Sequence, residues 1–236
     1  MRQERKKGHH HGVGCGDVTS DLSVIDLFSG VGGFSLGAAR AGFNVAAAID
    51  NDDRASAVYR KNFPGHPHFT RDISGLSASE LRNLLADHVI PHGMIAGPPC
   101  QGFSRIGKRN ESDPRNTLFD ECFRLIAAIR PLFYIVENVL GILDSQFERL
   151  RAAGLNRVSS YNSLPPLVLK SSDYGAATSR ERVFFIGYRS SHVSKISPEA
   201  FSPNGAIDKI VVRKALEGLP RTIRAEWQSE SQGWRC

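Results

Sequence analysis

A single α/β domain, with a mostly parallel sheet and helices on both faces, is predicted by three observations on this 236-residue chain. Short apolar runs alternate with helical stretches from about residue 23 to about residue 188. The conspicuous polar residues fall just after those runs, where an open parallel sheet binds its ligands. A glycine-rich turn follows the first run.

Taken in order, residues 24–28 (VIDLF) form the first strand, followed by the turn Ser29-Gly30-Val31-Gly32-Gly33 and a small-residue helix that Gly42 caps. Residues 45–49 form the second strand, Asp50 ends it, and a helix runs to about Asn62 before Pro64-Gly65 breaks the chain. A third short strand ends near Asp72. Ser77 with Glu80 is a capping box that opens a helix through about Asp87. Residues 94–96 are the fourth strand, which delivers Pro98-Pro99-Cys100. Apolar residues at Leu118, Phe119, Cys122, Leu125, Ile126 and Ile129 recur with helical spacing and predict a helix over 118–130. Residues 133–136 are a fifth buried strand with Glu137-Asn138 at its C-terminal end, 141–153 reads as helix, and 167–169 and 183–186 read as later strands. Beyond Arg189, Ser and Pro accumulate and only 212–219 looks helical. The predicted organisation is a basic flexible arm (1–22), a catalytic domain (23–189) and an irregular extension (190–236).

Composition narrows the class. Hydrophobic residues make up 41% and charged residues 23%, and no apolar run approaches the roughly 18 residues of a membrane span, so a cytoplasmic protein is expected. The N-terminus, MRQERKKGHHHG, has no apolar core and is not a secretory signal. Cys15, Cys100, Cys122 and Cys236 lie far apart without a CxxC pair, which predicts reduced thiols and no metal centre. A net charge of +6 favours a polyanionic partner.

The chemistry-bearing positions follow from residue type and place. Two prolines fix backbone φ before Cys100 and remove two amide donors, so the loop leaves the sheet and holds out a thiol. A packed small hydrophobe is the bland reading of the same residue. After the first strand, Ser35 stands where a dinucleotide fingerprint has its third glycine, which disfavours a plain NAD site. A turn of this kind still lets a ligand approach the backbone, and Asp50, about twenty residues on, suits ribose hydroxyls. For Asp50 or Asp72 alone, a helix cap fits equally well.

Four blocks, Asp26-Leu-Phe-Ser-Gly-Val-Gly-Gly33, Gly97-Pro-Pro-Cys-Gln-Gly-Phe-Ser104, Glu137-Asn138-Val139 and Ser179-Arg-Glu-Arg182, resemble the DNA (cytosine-5) methyltransferase family and occur in its order. The resemblance implies a Rossmann-like fold that binds S-adenosyl-L-methionine, and methyl transfer to a cytosine flipped out of double-stranded DNA. It implies that Phe28, Gly30, Gly32 and Gly33 form the cofactor loop, that Asp50 holds the ribose, that Asp72 and Ile73 flank the adenine, and that Pro99 borders the same pocket. Cys100 matches the nucleophile, Glu137 the glutamate that contacts the base, and Arg180 and Arg182 the paired arginines, of which Arg182 would favour the thiolate. Arg105, Lys108, Arg109 and Arg115, with Gly102 and Gly107 as flexible points, resemble the family's mobile loop.

Two departures stand out. Thr178 occupies the place of the family's usual Gln ahead of the arginine block, so modulation is expected there. After the family-like segment 212–220, about sixteen residues remain, too few to read a DNA site from a groove. A second chain supplying target recognition and the C-terminal cofactor-pocket block is therefore expected, or else a truncated product that binds without turnover. A relative that methylates transfer RNA shares the same core, although Gly102 after Pro-Pro-Cys-Gln looks more like the DNA branch.

Overall fold

A computed structural model describes residues 22–85, 91–100, 102–103, 116–203 and 209–218. Fourteen regular elements are named here in chain order: β1 (Ser23–Leu27), α1 (Gly33–Arg40), β2 (Asn44–Asp50), α2 (Asp53–Asn62), β3 (His68–Thr70), α3 (Ala78–Asn83), β4 (Gly93–Ala96), α4 (Thr117–Ile129), β5 (Phe133–Asn138), α5 (Glu148–Arg157), β6 (Asn162–Ser163), β7 (Leu167–Lys170), β8 (Glu181–Tyr188) and α6 (Val212–Ala215). The strands form one sheet in the order β3-β2-β1-β4-β5-β8-β6, with β7 also on β8. The first five strands pair in parallel, whereas β8 runs antiparallel to β5, β6 and β7.

Alternation along the strands sets the two faces. Val24, Val45, Ala48 and Ile95 pack with Tyr59 of α2 and with Phe34 and Ala38 of α1. On the other face Ile25, Leu27, Ile49, Met94, Val136 and Phe185 meet Leu81 of α3, the α4 side chains Phe119, Cys122, Phe123, Leu125 and Ile126, and Leu150 and Leu155 of α5. Helices thus cover both sides, as expected of a buried parallel sheet. The α4 stripe includes Phe123, which the spacing argument missed, while Leu118 is only half-buried. Burial pushes the Cys122 thiol well above its ordinary value, which suits a packing role.

Local signals place several boundaries. Asp52 Oδ1 accepts from Ala55 N at 2.7 Å to cap α2, and the Ser77–Glu80 capping box is formed at the start of α3. α3 ends at Asn83; Asp87 lies outside the described residues. The helix expected over 141–153 is instead two 3-10 turns, Leu140–Leu143 and Ser145–Phe147, followed by α5. Asp144 is extended (ψ 146°) and interrupts the spiral, and Gly141 is pressed against the Phe103 carbonyl, where an added Cβ would come within 2.0 Å. The Arg151 guanidinium donates to the Ile142 and Asp144 carbonyls, which supplies partners for the broken turn. Strand β6, only two residues long, carried no sequence signal. No helix among the described residues is long and apolar enough to cross a membrane.

Candidate active site

Strand order reverses at β1, which lies between β2 and β4, so a crevice opens beyond the carboxyl ends of β1 and β4. Because β8 is antiparallel, its N-terminal end lies at this same edge. The register puts Leu27 beside Ala96 and Ala96 beside Val136, so Phe28, Gly97 and Glu137 emerge abreast.

The turn after β1 is set by its own backbone and by Asp50. Phe28 (φ 59°) and Gly30 (φ 53°) are left-handed, and Gly32 (φ 98°) is the N-cap of α1. Gly30 N donates to Asp50 Oδ2 at 2.8 Å and Asp52 N donates to Asp50 Oδ1 at 2.9 Å. An added Cβ at Gly32 would strike Phe63 Cε2 at 2.2 Å, whereas at Gly30 or Gly33 it would meet nothing within 4 Å. The turn is packed from beneath and open above, which fits close approach of an adenosine-bearing cofactor. Each Asp50 oxygen accepts a backbone N–H and keeps a further lone pair.

Asp72 and Ile73 follow the adjacent edge strand but differ in setting. Asp72 is exposed, and its carboxylate accepts from Ser74 N (2.9 Å) and Ser74 Oγ (2.8 Å), bonds that hold it below the usual carboxylate range. The Ile73 side chain is buried in the core.

Cys100 sits half-buried on a loop anchored at both sides. Before it, Asn138 Nδ2 donates to the buried Pro98 carbonyl at 3.4 Å, and Asn138 Oδ1 accepts from Val139 N at 2.8 Å. After it, Phe103 N donates to the Cys100 carbonyl at 3.0 Å, and the Phe103 ring meets Phe147 and Phe119 at centroid distances of 4.9 and 6.4 Å. Pro99, half-buried, is carried between these anchors. Gly102 corrects an expectation: it is buried, and an added Cβ would lie 1.9 Å from Asn116 Oδ1, so its small size serves close packing and not flexibility. Arg105, Gly107, Lys108, Arg109 and Arg115 lie outside the described residues.

Glu137 and the two arginines converge. Arg182 Nε lies 2.9 Å from Glu137 Oε1, and Arg180 Nη2 lies 3.7 Å from the same oxygen. Glu137 Oε2 lies 3.8 Å from where a Cβ on Gly97 would stand. A cleft of about 350 Å³ lies over the pair, with Leu169, Tyr174 and Phe184 among its walls. Phe184 meets Phe34 of α1 edge-on at 6.4 Å, which links the cleft wall to the helix that follows the glycine turn. The Thr178 carbonyl accepts from Ser171 Oγ at 2.9 Å.

Sequence reasoning missed Asn138, Phe103 and Asn116 as supports of the cysteine loop. The available signal was a polar residue on the buried phase of β5, where Tyr134 and Val136 precede Asn138. Phe103 and Asn116 gave none, because their partners are distant in sequence.

Comparison with known proteins agrees with this geometry. Residues 22–231 match the C-5 cytosine-specific DNA methylase family. The chain is 39% identical over 173 residues to the type II methyltransferase M.DdeI of Desulfomicrobium norvegicum, covering 72% of this chain and 41% of that protein. It is 32% identical over 221 residues to the type II methyltransferase M.XorII of Xanthomonas oryzae pv. oryzae, covering 89% and 50%. Among solved structures it resembles a protein described as a DNA modification methyltransferase encoded within an E. coli prophage, with TM-score 0.78, 45% identity and coverage of 86% and 56%. The chain spans about half the length of the curated relatives it matches. With residues 22–231 matched by the family model and its fold shared with a DNA modification methyltransferase, the chain belongs to the C-5 cytosine-specific DNA methylase family.

Proposed function

We propose that residues 23–189 form the catalytic domain of an enzyme that transfers a methyl group from S-adenosyl-L-methionine to carbon 5 of a flipped-out cytosine in cytoplasmic double-stranded DNA. The observation that carries this reading is the Glu137–Arg182 pair at the rim of a cleft beside the anchored Cys100 loop. An acid, a cation and a thiol at one sheet edge are the set that addition to a pyrimidine needs.

Carbon 5 of cytosine is a poor nucleophile until carbon 6 is attacked. The Cys100 thiolate forms the Sγ–carbon 6 bond and density moves toward carbon 5. Glu137, once protonated, donates to ring nitrogen 3 through Oε2, while Arg182 and Arg180 hold Oε1 and balance charge on the exocyclic oxygen. Bound S-adenosyl-L-methionine supplies an electrophilic methyl group, and Phe28, Gly30, Gly32, Gly33, Asp50, Asp72, Ile73 and Pro99 are the residues proposed to hold it. Release is an elimination: a base takes the carbon 5 proton, that electron pair re-forms the carbon 5–carbon 6 double bond, and the Sγ–carbon 6 bond breaks to return the Cys100 thiolate. Extruding the base costs a few kcal/mol of unstacking, which backbone contacts from basic residues help to offset. Recognition of a particular site is assigned to a further segment or a second chain, and a restriction-modification setting is favoured by the type II names of the relatives.

The test is transfer of labelled methyl groups to unmethylated DNA and, separately, to bulk transfer RNA, with Cys100→Ala as control. Label in DNA that falls below about one thousandth in the variant supports the proposal. Label confined to transfer RNA, or label that survives the substitution, overturns it.

A further inference from the structure

Tyr59 of α2 is fully buried between the sheet and the turn after β1. Its ring lies 3.0 Å from where a Cβ on Gly32 would stand, beside the Phe63 ring. Its hydroxyl donates to Ser35 Oγ at 2.8 Å, and the Ser35 hydroxyl donates to Asp26 Oδ2 at 2.5 Å. With that direction fixed, the 3.2 Å contact between Tyr59 Oη and His66 Nδ1 is one in which the imidazole donates. One run of donors therefore passes from His66 through Tyr59 and Ser35 to Asp26. Tyr59, Ser35 and Asp26 are all wholly buried.

The run ends beneath the cofactor turn. Ser35 lies in the first turn of α1, whose N-cap is Gly32. Asp26 is in β1, one residue before the strand's end. Its Oδ1 has no hydrogen-bond partner among the described residues, an arrangement that costs far less for a neutral acid than for a carboxylate. The α2 helix thus touches the glycine turn with the Tyr59 ring and holds the start of α1 with its hydroxyl.

We infer that Tyr59 is a positioning residue for cofactor binding: acting through Ser35 on Asp26, its hydroxyl fixes the first turn of α1 beneath Gly30, Gly32 and Gly33. The inference rests on reading that turn as the S-adenosyl-L-methionine site. None of the three side chains reaches the cysteine loop, so the effect falls on cofactor affinity and leaves chemistry at Cys100 alone.

The experiment is calorimetric titration of the full chain with S-adenosyl-L-methionine, alongside Tm, for wild type and five variants. Tyr59→Phe and Ser35→Ala each break the run and are expected to raise Kd about five- to tenfold, the size of one buried hydrogen bond. Asp26→Asn keeps a neutral acceptor and is expected to stay within about twofold of wild type, whereas Asp26→Ala behaves like Ser35→Ala. Tyr161→Phe supplies the contrast. That hydroxyl donates to the Pro131 carbonyl at 2.7 Å, at the opposite end of the sheet, so its loss is expected to lower Tm and leave Kd unchanged. Tyr59→Phe and Ser35→Ala within about twofold of wild type, or Tyr161→Phe raising Kd as much as they do, would overturn the inference alone. A wild-type chain that binds no cofactor would overturn the cofactor reading and this inference with it.

Discussion

On the parallel half of the sheet, the ligand-facing turn is tied down by backbone donors: Gly30 N and Asp52 N both hold Asp50, and α2 packs under Gly32. On the antiparallel half, Glu137 is held by side chains, and Arg180, more than half exposed, reaches it only at 3.7 Å. The first arrangement is rigid before any ligand arrives. The second joins a mostly buried contact, Arg182 on Glu137, to a longer and exposed one from Arg180, and only the latter is weak enough to exchange partners freely. The contrast teaches that the glycine turn is fixed by local backbone bonds, while the Glu137 cluster depends on side chains from a strand distant in sequence.

The largest expected effect breaks the open half. Arg182→Ala removes the close cation from Glu137 and is expected to lower methyl transfer about a hundredfold with cofactor Kd unchanged. A parallel loss of cofactor affinity would show that the halves are not separable, with the Phe34–Phe184 contact the route between them. The next effect divides the closed half. Gly30→Ala adds a Cβ on the open side and is expected to raise cofactor Kd about tenfold, with Tm lowered by about 2–4 °C for left-handed strain of about 1 kcal/mol. Gly32→Ala adds the same strain and drives a Cβ into Phe63, so a larger Tm loss of about 4–8 °C is expected. Equal Tm losses would mean that the Phe63 ring moves aside without cost.

The smallest effect concerns the acid under the turn. Burial pushes Asp26 from its ordinary 3.8 up to about 7, with Ser35 hydrogen bonds opposing and Asp50 adding to the rise. The folded state therefore holds this proton more tightly than the unfolded chain does. Its stabilising contribution is complete below about pH 3.8 and is lost as pH rises to about 7. His66 and His68, whose proton affinity desolvation lowers, act in the opposite sense as pH falls below about 6.5; Arg60 adds to the effect on His68, Asp50 opposes it, and Tyr59 contacts His66. The comparison that isolates Asp26 is Tm of wild type against Asp26→Asn at pH 5 and pH 8. The variant is expected to gain on wild type at the higher pH, and identical shifts would show that Asp26 stays ionised throughout.

Much of the closed half was legible in the sequence because its signals are local. The strand before Ser29, the helix after Asp52 and the capping box at Ser77 each declare themselves within a few residues. The open half was legible as motif but not as geometry. Nothing within residues 180–182 tells that β8 runs antiparallel, and that reversal is what brings Arg182 to the edge near Glu137, one residue before the end of β5. Gly102 was misread for the same reason: a glycine needed for room and a glycine needed for freedom look alike until Asn116 is seen against it. The helix expected over 141–153 holds from Glu148 onward and fails before it, because nothing local in the sequence records the Phe103 carbonyl that crowds Gly141.

The antiparallel strand also imposes an order of assembly. Pairing β5 with β8 closes a long loop that contains α5, β6 and β7, and such closures lag behind contacts between sequential neighbours such as β1 and β2. Amide protection is expected in β1 and β2 ahead of β8 when refolding is followed by pulsed hydrogen exchange. A refolding chain would then hold the turn after β1 on Asp50 before Arg182 meets Glu137.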